Sequence, residues 1–346
     1  MAEKKGKVLC VDDEPNISRA LQWLLQKEFD VVTANSGQEA LALVRDNDFD
    51  VLISDQRMPM MTGVEFLREA RKISPRSIRI LLTGYSDMQA VLRSVNESEV
   101  YRFINKPWNI SELPSVVGQA VLIAKTQPVE TVAPELTEDM PIRAESGECV
   151  LLIDDDAAMQ LVVREAIGDT VAFAYAKNLA EAVDILNEQR ISVIVSETRV
   201  GAVDATRLIS IMKQKHPDIV AVMFSSQTDA ETVTGLINEG QIYRFVPKPV
   251  RVGYLKLVIN SSLVKHRRLV ETPALAGRHA VDAMADGKLA SLMSDVEKVA
   301  AQTEVKNVRQ VVPAMAANSV MSDGAPVVAG SGLFGRVSAG FKRLFG

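Results

Sequence analysis

The chain is poor in cysteine, histidine and aromatic residues. Its 346 residues include two cysteines, three histidines and only 5% Phe, Trp and Tyr. Cys10 and Cys149 each sit inside a short apolar run. Two such thiols exclude the disulfide framework of small secreted domains, and both read as buried and reduced. His216, His266 and His279 stand far apart, and none forms a His-Asp pair. They offer no His-Asp pair on which a histidine-based metal site could be assembled, and His216 and His266 read as solvated or capping residues. Positive charge is not in excess, since 39 Lys and Arg face 44 Asp and Glu. A net charge of −5 gives no sign of general nucleic-acid binding, which needs a basic domain or stripe. No stretch approaches the roughly 20 apolar residues that span a bilayer. The first apolar run, Val8–Val11, is too short for a signal-peptide core. The body of the protein is therefore expected to be cytoplasmic.

What is present is enough for two compact domains and a tail. Apolar residues make up 47% of the chain, which is ordinary for a globular protein with a real core. The strongest signal is an internal repeat. Val8-Leu9-Cys10-Val11-Asp12-Asp13-Glu14 reads like Val150-Leu151-Leu152-Ile153-Asp154-Asp155-Asp156. Tyr101-Arg102-Phe103-Ile104-Asn105-Lys106-Pro107 reads like Tyr243-Arg244-Phe245-Val246-Pro247-Lys248-Pro249. Ser54-Asp55-Gln56-Arg57 falls on Ser196-Glu197-Thr198-Arg199, and all three pairs are offset by 142 residues. A domain-sized period excludes a solenoid.

Each half alternates short apolar runs with amphipathic segments. In the first half the expected strands are Val8–Val11, Val31–Ala34, Val51–Ser54, Ile78–Thr83 and Tyr101–Asn105. The expected helices are Pro15–Phe29, Ser36–Asp46, Gly63–Ile73, Asp87–Val95 and Ile110–Lys125. Pro15 suits a first helical turn, and Ser36 with Glu39 three residues on suits a capping box. The order βα, five times over, predicts an α/β fold: two doubly wound (βα)5 domains in tandem, each a parallel sheet with helices on both faces. The boundaries read as 1–125 and 148–270, with a polar linker over 126–147 and an Ala-rich tail over 271–346. A short helix is expected within 287–312, and most of the remaining tail reads as disordered.

In such a sheet ligands bind beyond the carboxyl ends of the strands. Asp12 and Asp13 follow the first strand, Asp55 the third and Lys106 the fifth, while Thr83 ends the fourth. Clustered carboxylates repel one another unless a cation sits among them, and an all-oxygen donor set suits Mg²⁺. A carboxylate nucleophile can take a phosphoryl group, and a lysine and a metal offset the charge transferred.

The motifs Val11-Asp12-Asp13-Glu14-Pro15, Ser54-Asp55-Gln56-Arg57-Met58-Pro59 with Gly63, Leu82-Thr83-Gly84 and Asn105-Lys106-Pro107-Trp108 resemble the receiver domain of two-component response regulators. The resemblance covers residues 5–125 and 148–270. It implies that Asp12 and Asp13 bind Mg²⁺, joined by Asp55 and the backbone carbonyl of Arg57. It implies that Asp55 is the phosphoacceptor, that Thr83 and Lys106 hold the phosphoryl group, and that Tyr101 is the aromatic switch. It implies a cis Lys106-Pro107 bond as well.

The second half keeps Asp154, Asp155 and Lys248, has Ser225 for the threonine, and carries Glu197 at the acceptor position. The extra methylene displaces the carboxylate by about an ångström, enough to spoil in-line attack, so this half is expected to be a pseudo-receiver. Glu197 reaching Lys248 would mimic a phosphorylated state; a plain docking surface is the alternative. The whole is expected to be a signalling adaptor rather than an enzyme. It would be phosphorylated by a histidine kinase or phosphotransfer protein and act on an output protein by contact. A DNA-binding regulator with an unrecognised tail, or a phosphate sink in a relay, are the competing readings. Nucleic acid is not expected, because residues 287–312 mix both charge signs evenly.

The last segment places Leu333, Phe334, Val337, Phe341, Leu344 and Phe345 on one helical face, with Arg336, Lys342 and Arg343 around it. Such a basic amphipathic segment suits an anionic membrane surface or a partner's groove, with an inert tail as the third reading. The chain is accordingly expected at the inner membrane periphery as well as in the cytoplasm.

Overall fold

The computed structural model describes residues 5–84, 100–126, 140–225, 238 and 242–275. In the first half, β1 (Lys7–Val11), β2 (Asp30–Ala34), β3 (Val51–Asp55), β4 (Ile78–Thr83) and β5 (Arg102–Asn105) form one parallel sheet in the order β2-β1-β3-β4-β5. The central strands are apolar runs buried on both faces, as parallel strands covered by helices must be. Side chains alternate across the sheet. Leu9, Val11, Leu52 and Leu81 join the core on the side of α2 (Gly37–Asp46) and α3 (Gly63–Ile73). Val8, Cys10, Ile53, Ile80 and Leu82 join the core of α1 (Pro15–Leu25) and α4 (Leu113–Thr126) on the other.

Local chemistry explains where the helices begin. Pro15 occupies the first turn of α1, where its missing N–H costs nothing. Ser36 Oγ accepts from Glu39 N–H at the start of α2. Thr62 and Glu65 complete a reciprocal capping box on α3, with Thr62 N–H donating to Glu65 Oε2 at 2.9 Å. The expected ends shift in two places: α1 stops at Leu25, although Phe29 is still buried, and α4 begins at Leu113. The expected helix over Asp87–Val95 lies outside the described residues.

The second half repeats the plan. Strands β6 (Cys149–Ile153), β7 (Ala172–Ala176), β8 (Val193–Glu197), β11 (Val220–Ser225) and β12 (Arg244–Pro247) form a parallel sheet ordered β12-β11-β8-β6-β7. Helices α5 (Ala157–Ile167), α6 (Leu179–Glu188), α7 (Thr206–Lys215) and α8 (Val252–Glu271) accompany it. One feature is new: a small antiparallel hairpin, β9 (Arg199–Val200) and β10 (Val203–Asp204), turns through Gly201 at φ 62. Only glycine adopts that conformation without strain.

Part of the stretch read as a linker is packed on the second domain. Ile142 is buried in its core, and Arg267 of α8 ties down Glu145 and Glu148. Both cysteines are buried and free, and burial pushes the Cys10 thiol up to about 12. His216 caps the end of α7 as expected, but His266 is neither solvated nor a cap. It lies buried in α8 with Nδ1 2.8 Å from the Asp218 carbonyl. Trp108 packs partly on the first core, whereas Trp23 is exposed beneath the Lys27 ammonium rather than packed inside. Among the described residues no helix is long and apolar enough to cross a membrane.

Candidate functional site

The carboxyl ends of β1, β3 and β5 bring Asp12, Asp55 and Lys106 together. Asp12 is fully buried, and its Oδ1 accepts from Glu14 N–H at 2.9 Å, which turns the chain into α1. Lys106 Nζ lies 2.8 Å from Asp12 Oδ2 and 2.6 Å from Asp55 Oδ1. The other Asp55 oxygen, Oδ2, accepts from Arg57 N–H at 2.7 Å. Lys106 is held at this point by its own N–H, which donates to Thr83 O at 2.8 Å across the β4–β5 pair. Thr83 is buried, and its hydroxyl donates to Asn105 Oδ1 at 3.3 Å. Asp13 follows on the half-buried rim. The Lys106-Pro107 bond is cis, as the resemblance implied, and so is Lys248-Pro249.

The electrostatics follow from burial. Desolvation raises the Asp12 carboxyl above its ordinary range, and the bonds from Lys106 and Glu14 N–H lower it only in part. For Lys106, burial would lower the ammonium, but Asp12 and Asp55 outweigh it and the net shift is upward. The site thus holds negative charge that one lysine keeps in place. Tyr101 is turned inward among Ile80, Leu82 and Leu113, with the Arg102 guanidinium 5.4 Å from its ring centroid.

Several residues frame the site through contacts that the motifs alone did not specify. A Cβ on Gly63 would stand 2.1 Å from the Asp55 carbonyl oxygen, so only glycine lets α3 start this close to β3. Buried Gln56 accepts Val64 N–H through its side chain, and Ser18 Oγ donates to Asp12 O. Ser54 Oγ donates to Asp55 O at 2.8 Å, and Ser196 repeats this on Glu197 O. That recurrence was legible in the sequence, since the repeat pairs Ser54 with Ser196, and Gln56 and Gly63 stood in the same motif.

In the second half, Lys248 Nζ lies 2.9 Å from Asp154 Oδ2 and 2.6 Å from Glu197 Oε2. Glu197 Oε1 accepts from both Thr198 N–H and Thr198 Oγ1, and Thr198 Oγ1 lies 3.2 Å from Ser225 Oγ. Gly201 N–H, at the hairpin turn, donates to Asp155 Oδ2 at 3.1 Å. Here Lys248, Glu197, Thr198 and one Asp155 oxygen are all engaged within the chain. Asp154 is again raised by burial, against the pull of Lys248.

As donors, Asp12, Asp13, Asp55 and the Arg57 carbonyl are all hard oxygens and fit Mg²⁺ in kind. Lys106 holds the space between Asp12 and Asp55, and among the described residues no three His, Cys, Asp or Glu side chains are grouped to enclose a metal. Mg²⁺ keeps several waters and takes only one or two carboxylates, so a closed cage is not required. Residues 333–346, with the apolar face of Leu333, Phe334, Val337, Phe341, Leu344 and Phe345, lie outside the described residues.

Comparison with known proteins bears on both sites. The family described as "Response regulator receiver domain" matches residues 8–118 and 150–260. The hydrogenase transcriptional regulatory protein HoxA of Cupriavidus necator is 44% identical over 121 residues, which are 35% of this chain and 25% of that protein. The regulatory protein AtoC of Escherichia coli is 33% identical over 117 residues, 34% of this chain and 25% of that protein. The chain thus spans about a quarter of the length of these relatives. Among solved structures, the signal receiver domain of an HD domain-containing protein from Pseudomonas fluorescens is 31% identical, with a TM-score of 0.35. It covers 36% of this chain and 93% of that one.

Proposed function

Because the chain belongs to the response regulator receiver domain family, with one match in each half, we propose that it is a two-component response regulator phosphorylated on Asp55. The donor is a histidine kinase or phosphotransfer protein, and the output is protein contact rather than a reaction on a further substrate. The observation that carries this reading is the meeting of Asp55 and Asp12 on Lys106 at the carboxyl edge of the sheet.

The chemistry follows from the chain's own groups. Asp55 Oδ1 attacks the phosphorus of the donor in line, the donor's bond to phosphorus breaks, and an acyl phosphate forms on Asp55. Lys106 exchanges its contact with the Asp55 carboxylate for one with a phosphoryl oxygen, and its charge offsets the charge that arrives. The Thr83 hydroxyl leaves Asn105 and donates to a second oxygen. Receiver domains typically bind Mg²⁺. Here Asp12, Asp13, Asp55 and the Arg57 carbonyl would hold it, and when bound it supplies charge neutralisation for the transferring group. Tyr101, inward and next to the strand that leads into Lys106, is the side chain placed to respond when Thr83 moves.

The second domain is the unphosphorylated, pre-filled member of the pair. Glu197 already spans the distance to Lys248, and Gly201 N–H already occupies Asp155. The test is incubation of the full chain with acetyl phosphate and Mg²⁺, read by intact mass. One phosphoryl group is expected, abolished in Asp55→Ala and retained in Glu197→Ala. Two groups, or one that survives Asp55→Ala, would overturn the assignment.

A further inference from the structure

Strand β5, which leads into Lys106, ends the first sheet, and its outer edge is covered by the second domain. Lys106 N–H addresses β4 through Thr83 O, and alternate residues along a strand address opposite sides. The N–H and C=O of Phe103 therefore both point off the edge of the sheet. Both are met by a single side chain from the other half of the protein. Phe103 N–H donates to Asn238 Oδ1 at 3.0 Å, and Asn238 Nδ2 donates to Phe103 O at 2.8 Å. The Arg102 guanidinium adds a bond to the Asn238 carbonyl oxygen. One amide thus closes the hydrogen-bonding pattern of an edge strand as a neighbouring strand would.

The apolar packing agrees. On the α1–α4 side of the first sheet and the α5–α8 side of the second, the cores are separate. On the opposite sides they run together into one buried cluster, which includes Leu81 and Phe103 of the first domain and Met223, Ile242 and Phe245 of the second. By the 142-residue offset, Asn238 corresponds to Asn96 and Phe103 to Phe245. Asn96 lies outside the described residues.

We propose that the second domain is a built-in occupant of the β5 edge of the first, clamped there by the Asn238 side chain on Phe103. An unpaired strand edge is a ready template for another chain. In this protein the template is filled from within, so any partner that adds to this edge must first displace the second domain. Phe103 and Lys106 lie on one short stretch of chain, which places the clamp beside the phosphoacceptor site without making either depend on the other.

The experiment is hydrogen exchange on the full chain, unphosphorylated, followed at the Phe103 amide. The wild-type amide is expected to be protected like those of the central strands. Asn238→Leu keeps the side chain's size but removes both bonds, and Asn238→Ala removes its bulk as well. Either is expected to speed exchange at Phe103 on the order of tenfold or more while peptides from Lys7–Val11 and Cys149–Ile153 stay protected. Equal exchange at Phe103 in all three proteins would overturn the clamp. So would a wild-type Phe103 amide that exchanges as fast as one open to water, whatever the variants do.

Discussion

Lys248 Nζ stands 2.6 Å from Glu197 Oε2, the same separation that Lys106 keeps from Asp55 Oδ1. A side chain one methylene longer has been accommodated without moving the lysine. The difference lies in the second oxygen: Glu197 Oε1 accepts from Thr198, one residue on, whereas Asp55 Oδ2 accepts from Arg57 N–H, two residues on. Restoring the acceptor type alone should therefore fail: Glu197→Asp is expected to show the same single phosphoryl mass as wild type after acetyl phosphate treatment. A second phosphoryl group would mean that side-chain length was the whole obstacle.

Lys106 is the cation that holds two carboxylates at the first site. Lys106→Met should cost about 2 kcal/mol, since it leaves buried charge without its partner. Mg²⁺ binding to the folded state alone should then stabilise the variant more than wild type, because no lysine competes for the space. Thermal melts followed by tryptophan fluorescence report this domain, since Trp23 and Trp108 both belong to it. The same Mg²⁺-induced rise in Tm for both proteins would count against the shared space.

Lys213 gives the second domain a pH dependence. It is buried, with Nζ donating to Ile219 O at 2.6 Å and Pro217 O at 3.3 Å, and burial pushes its pKa down to about 7. A neutral amine still has two hydrogens for those two carbonyls. The unfolded chain holds this proton up to about pH 10.4, so between pH 7 and that value the unfolded state binds more protons. Stability should rise with pH across this window, by at most about 1.4 kcal/mol per unit. Lys213→Met should remove the slope in urea titrations followed by circular dichroism. An unchanged slope would assign it elsewhere.

Gly63 is pressed against the Asp55 carbonyl, and a Cβ added there would stand only 2.1 Å from that oxygen. Gly63→Ala should destabilise the first domain by about 2–4 kcal/mol, as backbone must shift to admit it. The equivalent Ala205 already carries a Cβ, so Ala205→Gly should cost no more than about 1 kcal/mol. Urea midpoints of the two variants measure the contrast, and equal losses would show that the close approach is not what sets the cost.

Two domains, the succession of their strands and the residues at the strand ends could all be read from the chain alone. These are local properties: the apolar period sets strand or helix, Pro15, Ser36 and Thr62 start helices, and the 142-residue offset pairs the halves. It also marked Glu197 as the odd residue, because identity at a known position needs no geometry. What those residues meet came from the folded molecule. Lys106 bonds Asp12 across 94 positions and Phe103 bonds Asn238 across 135. The hairpin that engages Asp155, the packing of Ile142 and the burial of His266 were equally hidden. Such contacts depend on how sheets twist and which faces are brought together, and a polar side chain at an edge carries no mark in its own neighbourhood of the backbone it will satisfy.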